Sequence, residues 1–295
     1  MNIRGVIPAL VTPFTADGES VDERALGAVA ESCIRNGVHG LLTCGGTGEF
    51  PALDHSERVR VLEVTLAQAA QRVPVVAHTG ALSTKETIAL TAHAARSGAA
   101  AVMLGVPFYE PVAEPDAIRH FQRVAEATDL PIMLYSYPYA TQFPLTMSFL
   151  ERLVTAVPRI RYLKDSGSSF AQTMAIAHSE LGVDVFSGSD LLSGPALIGG
   201  AAGLINGASN VFSREFADMC DDAIKRDWAS VAKAWSRLVP ALTSMEMSPY
   251  VASIKACVSE VVVPCGPVRR PLPELESRET DVLLSQVRAL VPSLR

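Results

Sequence analysis

The chain has 295 residues, of which 48% are hydrophobic and 19% are charged. This composition is typical of a globular protein with a large buried core, and it excludes collagen-like and disordered chains. There are 25 lysines and arginines against 31 aspartates and glutamates, so the formal net charge is −6. Because no basic run is long enough to follow a phosphate backbone, we expect no nucleic-acid partner.

Eight short apolar runs recur along the chain, and each ends near glycine, proline or a small polar residue. Runs of this kind are typical of buried parallel strands. Their spacing fits repeated units of one strand, one helix and two loops. The predicted strands are residues 6–11, 39–43, 73–78, 101–106, 131–136, 160–164, 183–187 and 202–206.

Amphipathic segments with helix start signals lie between these strands, including an Asp54/Glu57 pair that resembles a capping box. The first four predicted helices are residues 21–35, 59–71, 87–97 and 117–127. Eight strands alternating with helices favour an α/β fold, a (β/α)8 TIM barrel. A doubly wound open sheet is the alternative architecture.

The 89 residues that follow the eighth predicted strand are more than one closing helix requires. We predict helices over residues 214–238, 248–262 and 279–290, separated by Pro240 and by the turn-rich segment 264–273. The barrel core then spans residues 1–213. Residues 214–295 supply the closing helix and a C-terminal helical extension of the same domain, which would form an oligomer contact or cover the site.

Cysteine and histidine spacing gives no sign of a metal or disulfide framework. The five cysteines lie far apart without a C-x-x-C pair, and no two of the six histidines have metal-ligand spacing. We therefore expect no metal and no cofactor. The N-terminal segment is a poor signal peptide, and the most apolar stretch, residues 195–208, is too short to span a bilayer. These features predict a cytoplasmic protein with no membrane partner.

The active site of such a barrel lies at the carboxyl ends of its strands. Lys164 closes the sixth predicted strand, where burial would lower the pKa of its amine and favour Schiff-base formation with a ketone. The alternative is a lysine that is paired with Asp165 or another carboxylate. Tyr135 closes the neighbouring strand, where its phenol would pass protons or would simply be a rim tyrosine with a satisfied hydroxyl.

A glycine-rich turn, Gly45-Gly46-Thr47-Gly48, follows the second predicted strand. Its backbone N–H groups and hydroxyl suit an anion such as a carboxylate, although a glycine turn alone is a weak signal. Cys44 before it is best interpreted as a buried, inert thiol. His78 is the one histidine that ends a predicted strand, and the sequence leaves its contact with substrate open.

Six motifs in order resemble the dihydrodipicolinate synthase and N-acetylneuraminate lyase superfamily of Schiff-base-forming barrels, over nearly the whole chain. Together they cover strands 1, 2, 4, 5, 6 and 7. The motifs are G-V-I-P-A-L-V-T-P-F at residues 5–14, G-G-T-G-E at 45–49, P-F-Y at 107–109, L-Y-S-Y-P at 134–138, K-D-S at 164–166 and S-G-S-D at 187–190.

This resemblance implies roles for individual residues. Lys164 would carry the imine to pyruvate or another 2-keto acid, and Tyr135 would shuttle protons. Gly46 and Thr47 would hold the substrate carboxylate, and the backbone of Ile205 would lie near the bound keto acid.

The resemblance also implies an assembly. Tyr109 matches a tyrosine that in many members joins the proton relay of the neighbouring subunit. A homo-oligomer, a dimer or a tetramer built from tight dimers, is therefore expected.

Two departures from the family pattern argue against a simple transfer of the best-known activity. Ala140 stands where lysine-pathway members have an arginine that grips the carboxylate of aspartate semialdehyde. Gly46 replaces the usual Thr or Ser of the proton relay and resembles the G-G-T-G-E-F motif of keto-deoxy sugar-acid dehydratases.

The sequence predicts a lyase that cleaves a 2-keto-3-deoxy sugar acid reversibly to pyruvate and an aldehyde. The alternatives are a dehydratase of the same substrate class, then a dihydrodipicolinate synthase, then a barrel that binds without catalysis. Because residues 137–143 are neutral and aromatic, we expect a polyhydroxylated or apolar substrate tail rather than a second anion.

Overall fold

The computed structural model describes residues 3–167 and 169–291. Within them, eight strands alternate with helices in the predicted order. The strands are β1 (Gly5–Val6), β2 (Leu41–Thr43), β3 (Val75–His78), β4 (Ala101–Leu104), β5 (Ile132–Ser136), β6 (Ile160–Asp165), β7 (Asp184–Ser187) and β8 (Gly203–Leu204).

The helices surround the strands and continue into the C-terminal extension. They are α1 (Glu23–Arg35), α2 (His55–Ala69), α3 (Thr84–Ser97), α4 (Glu114–Ala125), α5 (Pro138–Thr141), α6 (Met147–Ala156), α7 (Phe170–Ala177), α8 (Ser193–Ile198), α9 (Ser213–Ile224), α10 (Trp228–Met247), α11 (Tyr250–Val261) and α12 (Ser277–Leu290). In the described residues, none of these helices is both long and apolar enough to cross a membrane.

The sheet is parallel throughout and closes on itself. Its order is β1-β8-β7-β6-β5-β4-β3-β2, and β1 returns to β2 through a parallel bridge between Ala9 and Leu42. Leu10 N donates to Leu42 O at 2.9 Å, and Leu42 N donates to Pro8 O at 2.9 Å. The predicted barrel is confirmed, and the open doubly wound sheet is wrong.

Alternation of side chains along the strands divides the core into two parts. Along β4, Ala101 and Met103 belong to the cluster inside the barrel, whereas Val102 and Leu104 pack in the layer between the strands and the helices. The inner cluster also contains Phe186 of β7 and has Tyr135 packed against it. Side chains fill the barrel, so the space for a ligand lies at its rim.

The predicted helix start signals are confirmed for α1, α2 and α3. Asp54 caps α2 and forms a full capping box with Glu57. Asp22 caps α1, and Ser83 caps α3 through the backbone N–H of Glu86. The short helices α5 to α8 were not predicted, because segments of four to ten residues carry little periodic signal.

Two boundary predictions were wrong in the strands. The first predicted strand, residues 6–11, shrinks to Gly5–Val6 followed by the isolated bridge at Ala9, because Pro8 has no N–H to donate to a ladder. The eighth, residues 202–206, shrinks to Gly203–Leu204.

The predicted helix over residues 214–238 is also wrong, because it is two helices. α9 ends at Ile224, Arg226 takes a left-handed backbone conformation with φ of 60°, and Asp227 caps α10. Pro240 lies inside α10 instead of separating two helices. Because Pro240 has no N–H, the carbonyl of Ser236 receives no hydrogen bond from within the helix. Both residues are exposed, so water can donate to that carbonyl instead.

The C-terminal extension is tied to the barrel rim by a buried ion pair. Lys255 Nζ of α11 donates to Glu49 Oε1 at 2.9 Å, and Arg269 N donates to Glu49 Oε2 at 2.8 Å. Arg269 also donates to both carboxylate oxygens of Glu57 on α2. These contacts hold residues 249–272 over the carboxyl ends of the strands. Of the two roles expected for the extension, this position fits a cover over the site.

Candidate active site

Lys164 and Tyr135 are brought together by the register of two neighbouring strands. Tyr135 of β5 pairs with Lys164 of β6. The Nζ atom of Lys164 lies 4.6 Å from the centroid of the Tyr135 ring. Lys164 is only 5% exposed. An amine held against a phenol at the end of a barrel strand can combine nucleophilic attack with proton transfer.

Asp165 does not pair with Lys164. Its side chain accepts hydrogen bonds from Thr173 Oγ1 at 2.7 Å and from Gly167 N at 2.9 Å. Successive residues of a strand point to opposite faces, so Lys164 points inward where Asp165 points outward. The alternative of a lysine neutralised by the adjacent aspartate is therefore wrong.

Burial controls the amine of Lys164. It lowers the pKa of Lys164 to about 8, and the negative charge of Asp190 opposes the shift. An amine with such a pKa is neutral in roughly one molecule in ten at pH 7, against fewer than one in a thousand for an ordinary lysine. The site therefore favours the nucleophilic form.

Asp190 and Tyr250 form a buried pair that sequence reasoning missed. Tyr250 Oη donates to Asp190 Oδ2 at 2.5 Å and accepts from Gly207 N at 3.0 Å. Burial raises the pKa of Asp190 to about 7. Asp190 follows β7 within the S-G-S-D motif, so its position at the end of a strand could have marked it as a site residue. Tyr250 lies 60 residues further along, on α11, and no sequence pattern marked it as a site residue.

Tyr135 lies in an aromatic environment. Its ring stacks on Tyr137 with centroids 6.0 Å apart and meets the His78 ring edge-on at 6.2 Å. Burial raises the pKa of Tyr135, and a hydrogen bond with the Ser166 side chain opposes this shift. The phenol is therefore protonated at neutral pH and available as a donor.

A cavity of about 330 Å³ opens above Tyr135. This volume is near the lower end of the range for ligand pockets, about 300–1,000 Å³. Its lining is mostly apolar and neutral. The lining residues are Gly46, Glu49, Phe50, Pro51, Ala52, His78, Gly80, Ala81, Gly105, Val106, Phe108, Tyr135, Tyr137, Ala140, Thr141, Val251, Arg270, Pro271 and Leu272. Lys164 is not among them, although its Nζ lies 4.6 Å from the ring centroid of Tyr135, which is one of them.

The glycine turn places Gly46 at the cavity and Thr47 beneath it. No atom lies within 4 Å of the position that a Cβ of Gly46 would take, so its missing side chain leaves open space. Thr47 is buried and lies beside Gly207, close to the Asp190 and Tyr250 pair. Gly46 therefore lines the cavity, and the carboxylate-binding role expected for the turn stays a prediction.

Two expected site residues, Tyr109 and Ile205, are not among the residues that line the cavity. Tyr109 follows β4 and is 80% exposed. Ile205 is fully buried inside the barrel beside Phe186, and its N–H donates to Ser187 O at 2.8 Å. The roles implied for both residues stay predictions.

His78 and Cys44 occupy different environments. His78 lines the cavity, and burial together with the charge of Arg58 holds the pKa of its imidazole well below the usual range. Arg58 donates to the carbonyl oxygens of His78 at 2.8 Å and of Gly80 at 3.0 Å, which fixes this loop. Cys44 is buried, and burial raises the pKa of its thiol to about 11, so it is inert. Within the part of the chain that the structure describes, no group of three or more His, Cys, Asp or Glu side chains is arranged to hold a metal ion.

Comparison with known proteins places this site in a family. The family model described as "Dihydrodipicolinate synthetase family" matches residues 2–290. The chain is 34% identical over 286 residues to the 4-hydroxy-tetrahydrodipicolinate synthase of Oceanobacillus iheyensis, which covers 97% of this chain and 96% of that protein. It is 36% identical over 271 residues to the corresponding synthase of Sorangium cellulosum, covering 92% and 90%.

Solved structures agree with the sequence comparison. A dihydrodipicolinate synthase from Bacillus anthracis superposes with a TM-score of 0.91 at 30% identity, over 98% of this chain and 99% of that chain. The Acinetobacter baumannii enzyme in complex with pyruvate gives 0.92 at 28% identity, over 97% and 98%. The resemblance seen in the motifs is confirmed. The chain belongs to the dihydrodipicolinate synthetase family, whose members are pyruvate-dependent lyases and synthases that act through a lysine Schiff base.

Proposed function

We propose that this enzyme cleaves a 2-keto-3-deoxy sugar acid reversibly to pyruvate and an aldehyde, with Lys164 as the Schiff-base lysine. The observation that carries this proposal is the open space at Gly46, in a cavity that also contains Ala140 and reaches Tyr135. A substrate longer than pyruvate needs such room, and it extends from the amine past Tyr135 into the cavity.

The reaction begins at the Lys164 amine. Nζ attacks the C2 ketone, and Tyr135 donates a proton to the leaving hydroxyl as water departs and the protonated imine forms. The resulting phenolate then takes the proton of the C4 hydroxyl. The C3–C4 bond breaks and the aldehyde leaves. The electrons of the broken C3–C4 bond pass toward the protonated imine and form an enamine. Tyr135 returns a proton to C3, and water hydrolyses the imine to release pyruvate.

The carboxylate at C1 is held by the glycine turn in this proposal. The backbone N–H groups near Gly46 and the hydroxyl of Thr47 supply donors without adding a second charge next to the imine. Ile205 contributes through its backbone at the end of β8. This arrangement keeps the carbonyl carbon close to the Lys164 amine.

The synthase activity named for the relatives is a weaker candidate here. That activity requires a grip on the carboxylate of aspartate semialdehyde, and Ala140 provides no guanidinium at the position predicted for it. A dehydratase is the second candidate, because Gly46 removes a hydroxyl from the relay and leaves Tyr135 as the main proton carrier. Dehydration would use the same imine but would expel a hydroxyl and keep every carbon.

Tyr109 supports an assembly in this proposal. An exposed tyrosine on the loop after β4 can enter the site of a neighbouring subunit, as the family resemblance implies. The homo-oligomer stays a prediction. Its test is the molecular mass in solution of the wild type beside Tyr109→Ala.

The decisive experiment incubates the enzyme with a panel of 2-keto-3-deoxy sugar acids and measures released pyruvate. Wild type should release pyruvate, and Lys164→Ala should not. A keto product with an unchanged carbon count would identify a dehydratase, and condensation of pyruvate with aspartate semialdehyde would identify a synthase. If borohydride fixes no pyruvate on the folded wild type, the chain is a binding protein and the proposal fails.

A further inference from the structure

One cation lines the cavity on the side of the C-terminal extension. Arg270 is exposed and contributes to the same lining as Ala140 and Tyr137. The other formally charged lining residue, Glu49, has both oxygens occupied by Lys255 and by the backbone of Arg269. Its charge is neutralised by a buried lysine, so Arg270 is the lining residue whose positive charge has no ion-pair partner among residues 3–167 and 169–291.

The backbone of Arg270 is held firmly by its neighbour. Arg269 donates to the carbonyl oxygens of Gly18, Glu19 and Ala52 and makes a two-pronged ion pair with Glu57. Its guanidinium also lies 4.1 Å from the centroid of the Phe14 ring. The segment that presents Arg270 to the cavity is therefore fixed, although Arg270 itself is exposed.

Arg270 has no ion pair and no hydrogen bond with any residue in 3–167 or 169–291. A shallow depression beside it contains Glu19, Asp54 and Glu57. Two of these carboxylates are already engaged: Glu57 binds Arg269, and Asp54 caps α2 and accepts from Ser56 Oγ at 2.6 Å. No carboxylate of the depression binds Arg270, so its guanidinium has donors left for an anion.

We infer that Arg270 binds a carboxylate at the far end of the substrate, so the preferred substrate is a 2-keto acid with a second, terminal carboxylate. The inference deepens the proposed function and rests on it: the substrate class becomes 2-keto-3-deoxy aldaric acids, and the aldehyde product carries an acid group. A guanidinium matches a carboxylate through two parallel N–H···O bonds.

A substrate with a second carboxylate differs from the substrate that the sequence predicts. The neutral loop 137–143 favoured an uncharged tail, because no sequence pattern placed residue 270 beside that loop. In the fold, Ala140 and Arg270 line one cavity although 130 positions separate them. A cationic residue of the C-terminal extension thus lines the same cavity as Ala140, which has no charged side chain.

The test measures imine formation with two keto acids of equal length, so that it does not depend on cleavage. The probes are 2-oxohexanoate and 2-oxohexanedioate, which differ only in the terminal carboxylate. Lys164 Nζ attacks C2, water leaves, and hydride from borohydride adds to C2 of the imine, which fixes the acid as a secondary amine. The mass of the labelled protein at each concentration gives a half-saturation value for each acid.

Wild type should bind the dicarboxylate about 10-fold more tightly than the monocarboxylate, and 0.5 M salt should reduce this preference. Arg270→Ala should abolish the preference, and Arg270→Lys should retain part of it. The matched control is Arg278→Ala, which removes an exposed arginine of α12 outside the cavity and should keep the wild-type ratio. Thermal melting should be the same for both alanine variants, because Arg270 makes no contact that unfolding would lose.

The outcomes separate the two claims. Adducts with equal half-saturation values in wild type, or a ratio that survives Arg270→Ala, overturn the role of Arg270 and leave the proposed cleavage standing. A ratio that depends on Arg270, without pyruvate release from any 2-keto-3-deoxy acid, overturns the cleavage and supports the second carboxylate. No adduct with either acid on folded wild type that still fixes pyruvate overturns the role of Arg270, and absence of the pyruvate adduct as well overturns both.

Discussion

The imine end and the tail end of the site are built in different ways. At the imine end, Tyr135 and Lys164 lie near the carboxyl ends of β5 and β6, and Asp190 follows the neighbouring strand β7. The register of β5 with β6 sets the contact between Tyr135 and Lys164. At the tail end, Gly46, Ala140 and Arg270 come from a turn, a short helix and the extension. Barrel geometry therefore fixes where the chemistry occurs, and loops from distant parts of the chain determine which tail fits.

The difference predicts that substitutions at the two ends have separable effects. Changes at the imine end should reduce the chemical step for every keto acid, because they alter groups that touch the reacting atoms. Changes at the tail end should alter the preference among keto acids and leave imine formation with pyruvate largely intact.

The largest effect is expected for Lys164→Ala. It removes the nucleophile, so pyruvate release should fall by roughly 10³-fold or more, as for other enzymes that lose a covalent catalyst. After borohydride treatment with pyruvate, the peptide containing residue 164 should carry no added mass. Lys233→Ala, which removes an exposed lysine of α10, should be labelled like wild type. Labelling of the Lys164→Ala protein at another lysine would contradict the assignment.

The next effect is expected for Tyr135→Phe. The phenylalanine keeps the ring against Lys164 and removes only the hydroxyl, so turnover should fall by about 10²–10⁴-fold through loss of proton transfer. Imine formation with pyruvate should be slower but should still reach completion, as measured by the final adduct mass. Tyr137→Phe is the control, since Tyr137 stacks on the same ring. Equal losses in the two variants would argue against a specific role for the Tyr135 hydroxyl.

The fold and the candidates for the imine end were accessible from the sequence for a physical reason. Buried parallel strands appear as continuous apolar runs, and the residue that ends a run occupies the rim, so position made Lys164 and Tyr135 candidates. Position alone left a paired lysine and a rim tyrosine open, and the family motifs favoured the catalytic roles. Tyr250 and Arg270 were not found, because no periodic pattern specifies where an extension folds back over a barrel. The break at Arg226 was missed for a similar reason, since a left-handed backbone at an arginine carries no clear sequence signal.

A smaller effect is expected on the pH dependence of imine formation. Only the neutral amine attacks the ketone, so the rate with pyruvate should rise about tenfold per pH unit below the Lys164 pKa of about 8 and level off above it. The charge of Asp190 favours the ammonium form, so Asp190→Asn should move the midpoint to lower pH. Because burial raises the pKa of Asp190 to about 7, only about half of its charge is present at pH 7, and the rate there should rise by roughly 3-fold.

The initial rate of borohydride labelling between pH 6 and pH 9 measures this midpoint. Asp184→Asn, at the opposite end of β7, is the control and should leave the midpoint in place. An unchanged midpoint with a lower plateau rate in Asp190→Asn would mean that the aspartate acts by positioning groups of the site through Tyr250 instead of through its charge.

Gly46→Ser tests the tail end directly, and it should leave imine formation with pyruvate and folding stability unchanged. A Cβ at Gly46 meets no atom within 4 Å and its backbone is not left-handed, so melting should be unchanged. The neighbouring Gly48 is the matched contrast, because a Cβ there would lie 2.9 Å from Leu10 O, and Gly48→Ser should cost about 1–3 kcal/mol of folding free energy. Since the new hydroxymethyl group occupies cavity space next to Tyr135, cleavage of a six-carbon acid should fall roughly 10-fold relative to labelling by pyruvate. A serine that instead speeds cleavage would mean that Gly46 marks a missing proton carrier, and the room it leaves would then have no part in selecting the substrate.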